Sequence, residues 1–259
     1  MTSLLFPFYD PNNVETKFLK QILPLLKENF DNAFVSITPK TVAINSESLN
    51  FLKEDSFFIV NENPEDSLIG DHFIAGYKNA VEHSKSDQIL HLCYLDRIAF
   101  ALLNYKETFL DDLNDVNSPT LFLRSEKAWS THPRNYRAAE SMVTEVGRVL
   151  FDKVLDFTWC HLSLTAGQLS DVLPRLTARD LVITSQLIFS LKEIIKTKAV
   201  DWLSWEDPFI FGKDQNKFKL ERENDPAESE KRMGYILPEI KYLFNEHGKL
   251  IARTERDSS

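Results

Sequence analysis

Glycine is scarce in this chain, 7 of 259 residues. No glycine-rich phosphate loop of either common type is present, which argues against a P-loop nucleotidase and a dinucleotide-dependent dehydrogenase. A Gly-x-Ser-x-Gly elbow is also missing, and with it the signature of an α/β-hydrolase. Cysteine is rarer still, with 2 in the chain. Cys93 and Cys160 both lie in apolar surroundings. They are expected to be buried small hydrophobes in a reducing compartment, neither a disulfide framework nor a zinc site. The six histidines are scattered without zinc-ligand spacing. No apolar run approaches the roughly 18 residues that span a bilayer, and Met1 to Pro11 lacks the basic and apolar regions of a signal peptide. A cytoplasmic protein is the simplest expectation. There is no dense Lys/Arg run, and the formal net charge is -9. Such a field repels nucleic-acid backbones and anionic membranes, so a nucleic-acid partner is set aside.

What is present is an ordinary soluble composition, 43% hydrophobic and 27% charged, enough for one large core or two modest domains. Apolar runs predict strands at Ser3–Tyr9, Ala33–Thr38, Phe57–Val60 and Ile89–Leu95. Helical spacing predicts helices between them, at Val14–Phe30 (with Pro24 as a kink), Ser46–Leu52 and Leu68–His83. Strand and helix alternate through the first 95 residues. This predicts a doubly wound, mostly parallel sheet flanked by helices. Whether the first and fourth strands are adjacent depends on strand order and is left open.

Further on, a helix is predicted to start at Ile98, an acidic loop to span Asp111–Pro119 and a strand to run from Thr120 to Leu123. A long helix is predicted near Asn135–Phe151, and an apolar segment covers Phe157–Leu164. Helices are expected at Ser170–Leu176 and Asp180–Lys192, and a last strand at Ala199–Leu203. The region 213–259 reads as a charged extension to a 1–212 domain. It is expected to hold a linker or exposed hairpin over Lys213–Glu230, a helix at Pro238–Phe244 and a disordered tail from Arg253.

The most informative stretch is Ile89-Leu90-His91-Leu92-Cys93-Tyr94-Leu95-Asp96-Arg97, a short apolar run ending in a carboxylate and a guanidinium. In open α/β sheets, ligands sit beyond the carboxyl ends of such strands. An Asp there can hold a hard cation against a phosphate, and an Arg can clamp a phosphate or carboxylate. The alternative is a strand end followed by a structural ion pair.

This stretch is followed by Arg124, then Ala128-Trp129-Ser130-Thr131-His132-Pro133 and Glu140. Later come Thr165-Ala166-Gly167, Asp180 and Trp202-Leu203-Ser204-Trp205-Glu206. In this order and spacing, over roughly residues 3 to 211, the set resembles nucleotide-sugar-dependent glycosyltransferases of the GT-A fold, in a little-characterised prokaryotic branch. The resemblance implies a nucleoside diphosphate sugar donor, an unidentified hydroxyl acceptor and a Mn2+ or Mg2+ ion at an Asp-x-Asp element. Asp96 matches the last Asp of that element and is the implied metal ligand, while Tyr94 stands where the first would be and could instead stack on a base or sugar.

Phe8 and Asp10 match the place where the first strand meets the nucleotide base. Arg97 is implied at a phosphate, or it pairs with Asp96. Arg124 and His132 are implied beside the diphosphate, though His132 before Pro133 also suits a turn. Asp180 is implied as an acceptor-side base, or it caps a helix. Trp205 and Glu206 are implied as a stacking face and a hydrogen-bonding acid for a sugar, with Trp205 equally suited to the core. The competing function is a catalytically degenerate module of the same fold that binds a nucleotide, sugar or protein without turnover.

Overall fold

The structure is a computed structural model and describes residues 2–114, 119–159 and 161–257, with side chains through residue 252. Cys160, part of the expected acidic loop and the last two residues of the expected tail lie outside the described residues.

Strand β1 (Thr2–Phe8) is followed by α1 (Val14–Asn29), β2 (Phe30–Ile37), α2 (Pro39–Ile44), α3 (Ser46–Glu54) and β3 (Phe58–Glu62). Helix α4 (Ile69–His83) leads to β4 (Ile89–Leu92), α5 (Leu95–Asn104), α6 (Lys106–Asn114) and β5 (Thr120–Arg124). Then come α7 (Glu126–Thr131), α8 (Arg134–Phe151), β6 (Leu162–Thr165), α9 (Ala166–Val172) and α10 (Val182–Leu191). The chain ends with β7 (Lys196–Val200), α11 (Asp207–Ile210), α12 (Gln215–Glu223) and α13 (Pro226–Asp257).

The strands form one seven-stranded sheet in the order β3-β2-β1-β4-β6-β5-β7. Strands β1 to β4 are mutually parallel, β6 is antiparallel to both β4 and β5, and β7 runs parallel to β5. This is the expected doubly wound, mostly parallel mixed sheet. Alternation along β1 explains its two-sided burial. Leu4, Phe6 and Phe8 face one core with Leu19, Ile22 and Ile98. Leu5 faces the other with Phe73, Tyr77, Leu187, Ile236 and Leu243.

The open question of adjacency is answered: β1 pairs with β4, with Leu4 opposite His91 and Leu5 opposite Leu92. The chain winds outward from β1 to β2 and β3, then returns to the other side of β1. The carboxyl ends of β1 and β4 therefore flank the point where the winding reverses, the crevice in which such sheets hold ligands.

Several boundaries differ from expectation. Strand β4 stops at Leu92, and Leu95, Asp96 and Arg97 already form the first turn of α5. Asp is favoured there because the unpaired N–H groups of a helix start attract negative charge. The last strand is Lys196–Val200, a lysine-bearing edge strand. Trp202, expected within it, is instead buried after it against Phe109 and Phe122. Helix α1 runs through Pro24 without interruption.

The largest correction is at the C-terminus. The expected linker contains α12, and the expected short helix is a single helix that starts at Pro226 and continues to Asp257, through the segment expected to be disordered. Proline at the first helical position and an apolar face of Met233, Ile236, Ile240 and Leu243 account for it. Among the described residues, no helix is long and apolar enough to cross a membrane.

Candidate functional site

A cleft of about 600 Å³ opens at the carboxyl edge of the sheet. One wall is the start of α5, with Tyr94, Asp96 and Arg97; a second is Arg124 at the end of β5 with Glu140 of α8. The approach to α10 contributes Asp180, and α13 closes the opposite side with Arg232, Tyr235, Pro238 and Glu239. Its size and mixed apolar and polar lining suit a small-molecule ligand.

At the α5 end, two carboxylates bond Arg97, one at its guanidinium and one at its backbone. Arg97 Nη1 lies 2.8 Å from Glu206 Oε2, and the backbone N–H of Arg97 donates to Asp96 Oδ1 at 2.8 Å. Burial raises the pKa of Asp96, which Arg97 opposes and Asp207 reinforces. Burial also pushes Glu206 up to about 7, again against Arg97, with Asp96 and Asp207 adding repulsion. Glu15, at the start of α1, is held well above the usual carboxylate range by burial and by Asp96 and Asp10. Glu15, Asp96, Glu206 and Asp207 thus form an acidic group, with the Arg97 charge acting on Asp96 and Glu206.

The fit of a divalent cation follows from this donor set. Among the described residues, no group of three or more His, Cys, Asp or Glu is arranged to hold a metal. Magnesium-type ions, however, need only one or two protein carboxylates when a substrate phosphate supplies further oxygens. Asp96 fits as such a one-carboxylate anchor in the cleft wall, not as part of a preformed cage.

At the β5 end, the Arg124 side chain is 3% exposed and lies 2.9 Å from Glu140 Oε2 and 3.3 Å from Asp156 Oδ2. Its guanidinium also covers the Trp129 ring at 4.4 Å. Glu140 Oε1 in turn lies 3.0 Å from Arg232 Nη1. This chain of charges ties α13 to α8 and the sheet. Arg232 rests over Tyr136 at 3.7 Å, and the Tyr136 hydroxyl donates to Glu228 at 2.9 Å.

The remaining expected site residues fall in different places. Tyr94 lines the cleft, with its ring against Phe73 and Trp159. Asp180 also lines it, and one of its oxygens accepts the Val182 N–H at 3.1 Å at the start of α10. His132 is buried outside the lining. Its Nδ1 meets the Ala128 carbonyl at 3.0 Å, and burial together with Arg124, Arg97 and Arg232 holds the ring well below its usual pKa, hence neutral.

Phe8 is wholly buried in the core, not at a base. Asp10 is 2% exposed and spent on the chain itself. It accepts the Val14 and Thr16 N–H groups, each at 2.7 Å, and the Thr16 hydroxyl at 2.6 Å. It organises the start of α1 and presents no free oxygen to a nucleotide. Trp205 is buried, stacked on Phe218 with centroids 5.4 Å apart and edge-on to Tyr136, so its faces are occupied by protein.

The α13 residues were missed from sequence because their segment is dense in charge. The signals that could have located them are Pro226 at a helix start and the apolar spacing of Met233, Ile236, Ile240 and Leu243.

No family model and no curated protein sequence matches this chain. Among solved structures it is similar to glucosyl-3-phosphoglycerate synthase from Mycobacterium tuberculosis. In that protein's complex with Mn2+, uridine diphosphate and phosphoglyceric acid, the identity is 12%, the match covers 76% of this chain and 67% of that one, and the TM-score is 0.46. In its complex with uridine diphosphate, the identity is again 12%, the coverage 76% and 69%, and the TM-score 0.43. A likeness this distant does not say which reaction this chain performs.

Proposed function

We propose that the chain is a cytoplasmic glycosyltransferase that moves a sugar from a nucleoside diphosphate sugar to a hydroxyl acceptor, with residues 213–259 as an extension to the 1–212 domain. One observation carries the reading. A cleft of ligand size lies where the winding of the sheet reverses, with Asp96 and Arg97 in its wall. The resemblance in sequence supports the same reading.

In this reading the donor diphosphate lies against the start of α5. Asp96 would hold a Mn2+ or Mg2+ ion, which supplies positive charge to the leaving diphosphate. Arg97, fixed by Glu206 at 2.8 Å, adds a second positive charge at the same end. Asp180, across the cleft, accepts the proton of the acceptor hydroxyl. That oxygen bonds to the anomeric carbon as the bond from carbon to diphosphate oxygen breaks. Arg124 acts at one remove, ordering Glu140 and, through it, Arg232.

A second reading, binding without turnover, is favoured by Tyr94 in place of a second carboxylate. A thermal-shift screen of nucleoside diphosphates with and without manganese tests the shared premise. A ligand at about 100 times its dissociation constant adds roughly 2.7 kcal/mol of stability. No shift with any nucleoside diphosphate would sink the transfer reading and the nucleotide-binding form of the second. A manganese-dependent shift with no release of sugar or nucleotide from any donor would leave the binding-only reading.

A further inference from the structure

Helix α13 has two apolar faces, and the fold covers one of them. Ile236 and Leu243 are buried in the core. Leu237, Phe244 and Ile251 lie on another side, seven residues apart along the same helix. Seven residues make two turns less about 20°, so the three side chains stand in one row about 21 Å long. Leu237 and Phe244 are each 55% exposed and Ile251 is 48% exposed. Gly234 and Gly248 flank the row, with nothing within 4 Å of where a side chain would begin at either. Ala252 is exposed at its end. Single apolar side chains on a surface are ordinary, but a continuous row of large ones marks an interaction face.

The face widens at one end. Val149 of α8 is 71% exposed and shares with His247, Leu250 and Ile251 a groove of about 580 Å³, lined largely by apolar side chains.

Even spacing makes this row its own complement. A second copy turned by 180° about an axis through Phe244 runs antiparallel to the first. Phe244 then meets the partner's Phe244, and Leu237 falls opposite the partner's Ile251 and the groove beside it. A two-fold contact of this kind closes at two copies. Charge selects the direction. Lys241 lies in the row between Leu237 and Phe244 and is exposed. In a parallel pair the two ammonium groups would face each other. In the antiparallel pair they stand about 9 Å apart along the axis, roughly one Debye length, and each lies over the open backbone at the partner's Gly248.

Over residues 234–252 the face is about 28 Å long and roughly 10 Å wide. Two such faces with their grooves bury on the order of 1,000 Å², the lower limit of a specific interface. That area fits a weak, concentration-dependent dimer, not an obligate one. We propose that α13 is a self-association face, through which two copies of this chain pair antiparallel about Phe244. Gly234 and Pro238, at one end of the face, also border the cleft. Each partner would thus lie along the outer side of the helix that closes the cleft.

The test is sedimentation velocity of the whole chain over a range of about 1–200 µM, where the mass is expected to rise from one chain to two with a dissociation constant on the order of 10 µM. Phe244→Glu and Ile251→Glu each bring a charge into the contact, Phe244→Glu a pair of like charges at the axis. Each is expected to weaken association at least about tenfold. Both positions are half-exposed in the single chain, so the melting temperature of the dilute variants should be unchanged. Ile44→Glu, at an apolar position of α2 that is 61% exposed, should leave association as it was. Register is read by cysteine cross-linking, with the unmodified chain as the blank. A mixture of Leu237→Cys and Ile251→Cys is expected to give a covalent dimer on oxidation. Leu237→Cys alone should give none, because its two copies are about 21 Å apart, beyond the reach of a disulfide. A chain that stays monomeric throughout, association indifferent to Phe244→Glu, or cross-linking of Leu237→Cys to itself would each overturn the proposal. Vesicles of neutral and anionic lipid run in the same series, and co-sedimentation with them in place of dimerisation would give the face to a membrane instead.

Discussion

Glu140 holds the C-terminal helix to the sheet, and its substitution has a calculable consequence. One carboxylate oxygen faces Arg124 at 2.9 Å and the other faces Arg232 at 3.0 Å. The side chains of Arg124 and Glu140 are only 3% and 9% exposed, so their charges are poorly hydrated and depend on each other. Glu140→Gln keeps the volume and removes the charge. Breaking a buried pair by changing one partner costs about 3–5 kcal/mol. Asp156, 3.3 Å from the same guanidinium, still compensates Arg124, which places the loss near the lower bound, about 3 kcal/mol. Arg232 is 24% exposed and adds little, as partly solvated pairs do. A chain of 259 residues unfolds with an entropy of roughly 0.5 kcal/mol/K, so the melting temperature should fall by about 6 °C. Calorimetry and urea unfolding measure it. The triple variant Arg124→Met, Glu140→Met and Asp156→Asn should recover much of the loss, because the buried charges of the cluster are then removed together. A change of less than about 1 °C in Glu140→Gln would refute the claim that the buried pair of Arg124 and Glu140 stabilises the fold.

Four further outcomes are expected. Gly147→Ala should destabilise the chain by about 2–3 kcal/mol in urea unfolding, because an added Cβ would lie 2.1 Å from the buried Phe157 ring. By contrast Gly248→Ala, with nothing within 4 Å, should stabilise α13 by about 0.5–1 kcal/mol. Asp10→Ala removes three hydrogen bonds at the start of α1 and should cost about 2 kcal/mol of stability. A variant that keeps its melting temperature but loses nucleotide affinity would instead restore Asp10 to the site. The last outcome concerns pH. Glu239 has a folded pKa well above its ordinary 4.5, so the folded state binds the extra proton. Its contribution to stability is complete below that ordinary value and is lost as pH rises through the raised one. Glu239→Gln, permanently neutral, should therefore be more stable than the parent at pH 8, with the difference shrinking towards pH 4. An unchanging difference across that range would contradict the assignment.

The alternation of strands and helices was legible because each element is long or apolar enough to show its period. Strand order was not, since the return of β4 to β1 is decided by packing between segments far apart in sequence. Asp96 and Arg97 stood out as the charged end of an apolar run, although they belong to the first turn of α5 and not to the strand. Side chains that cap helices and side chains that bind ligands are the same residue types. Asp10 was therefore indistinguishable from a ligand contact until its three donors were seen. Trp205 illustrates the same limit for aromatic residues: only the tertiary fold puts Phe218 across its face. The pairing of Arg97 with Glu206, 109 positions apart, has no local signature. Helix α13 escaped because its polar face dominates its composition, and with it went Arg232, Tyr235 and Glu239.

The central claim is that the start of α5 receives a nucleoside diphosphate through Asp96 and a divalent cation. Titration calorimetry of uridine, guanosine, adenosine and cytidine diphosphates, each with manganese and with a chelator, tests it on the unmodified chain and on Asp96→Asn. The expected result is a manganese-dependent affinity for at least one of them that Asp96→Asn reduces by about tenfold or more, with the melting temperature of the free variant little changed. Equal affinity in the two proteins, or binding indifferent to manganese, would contradict it.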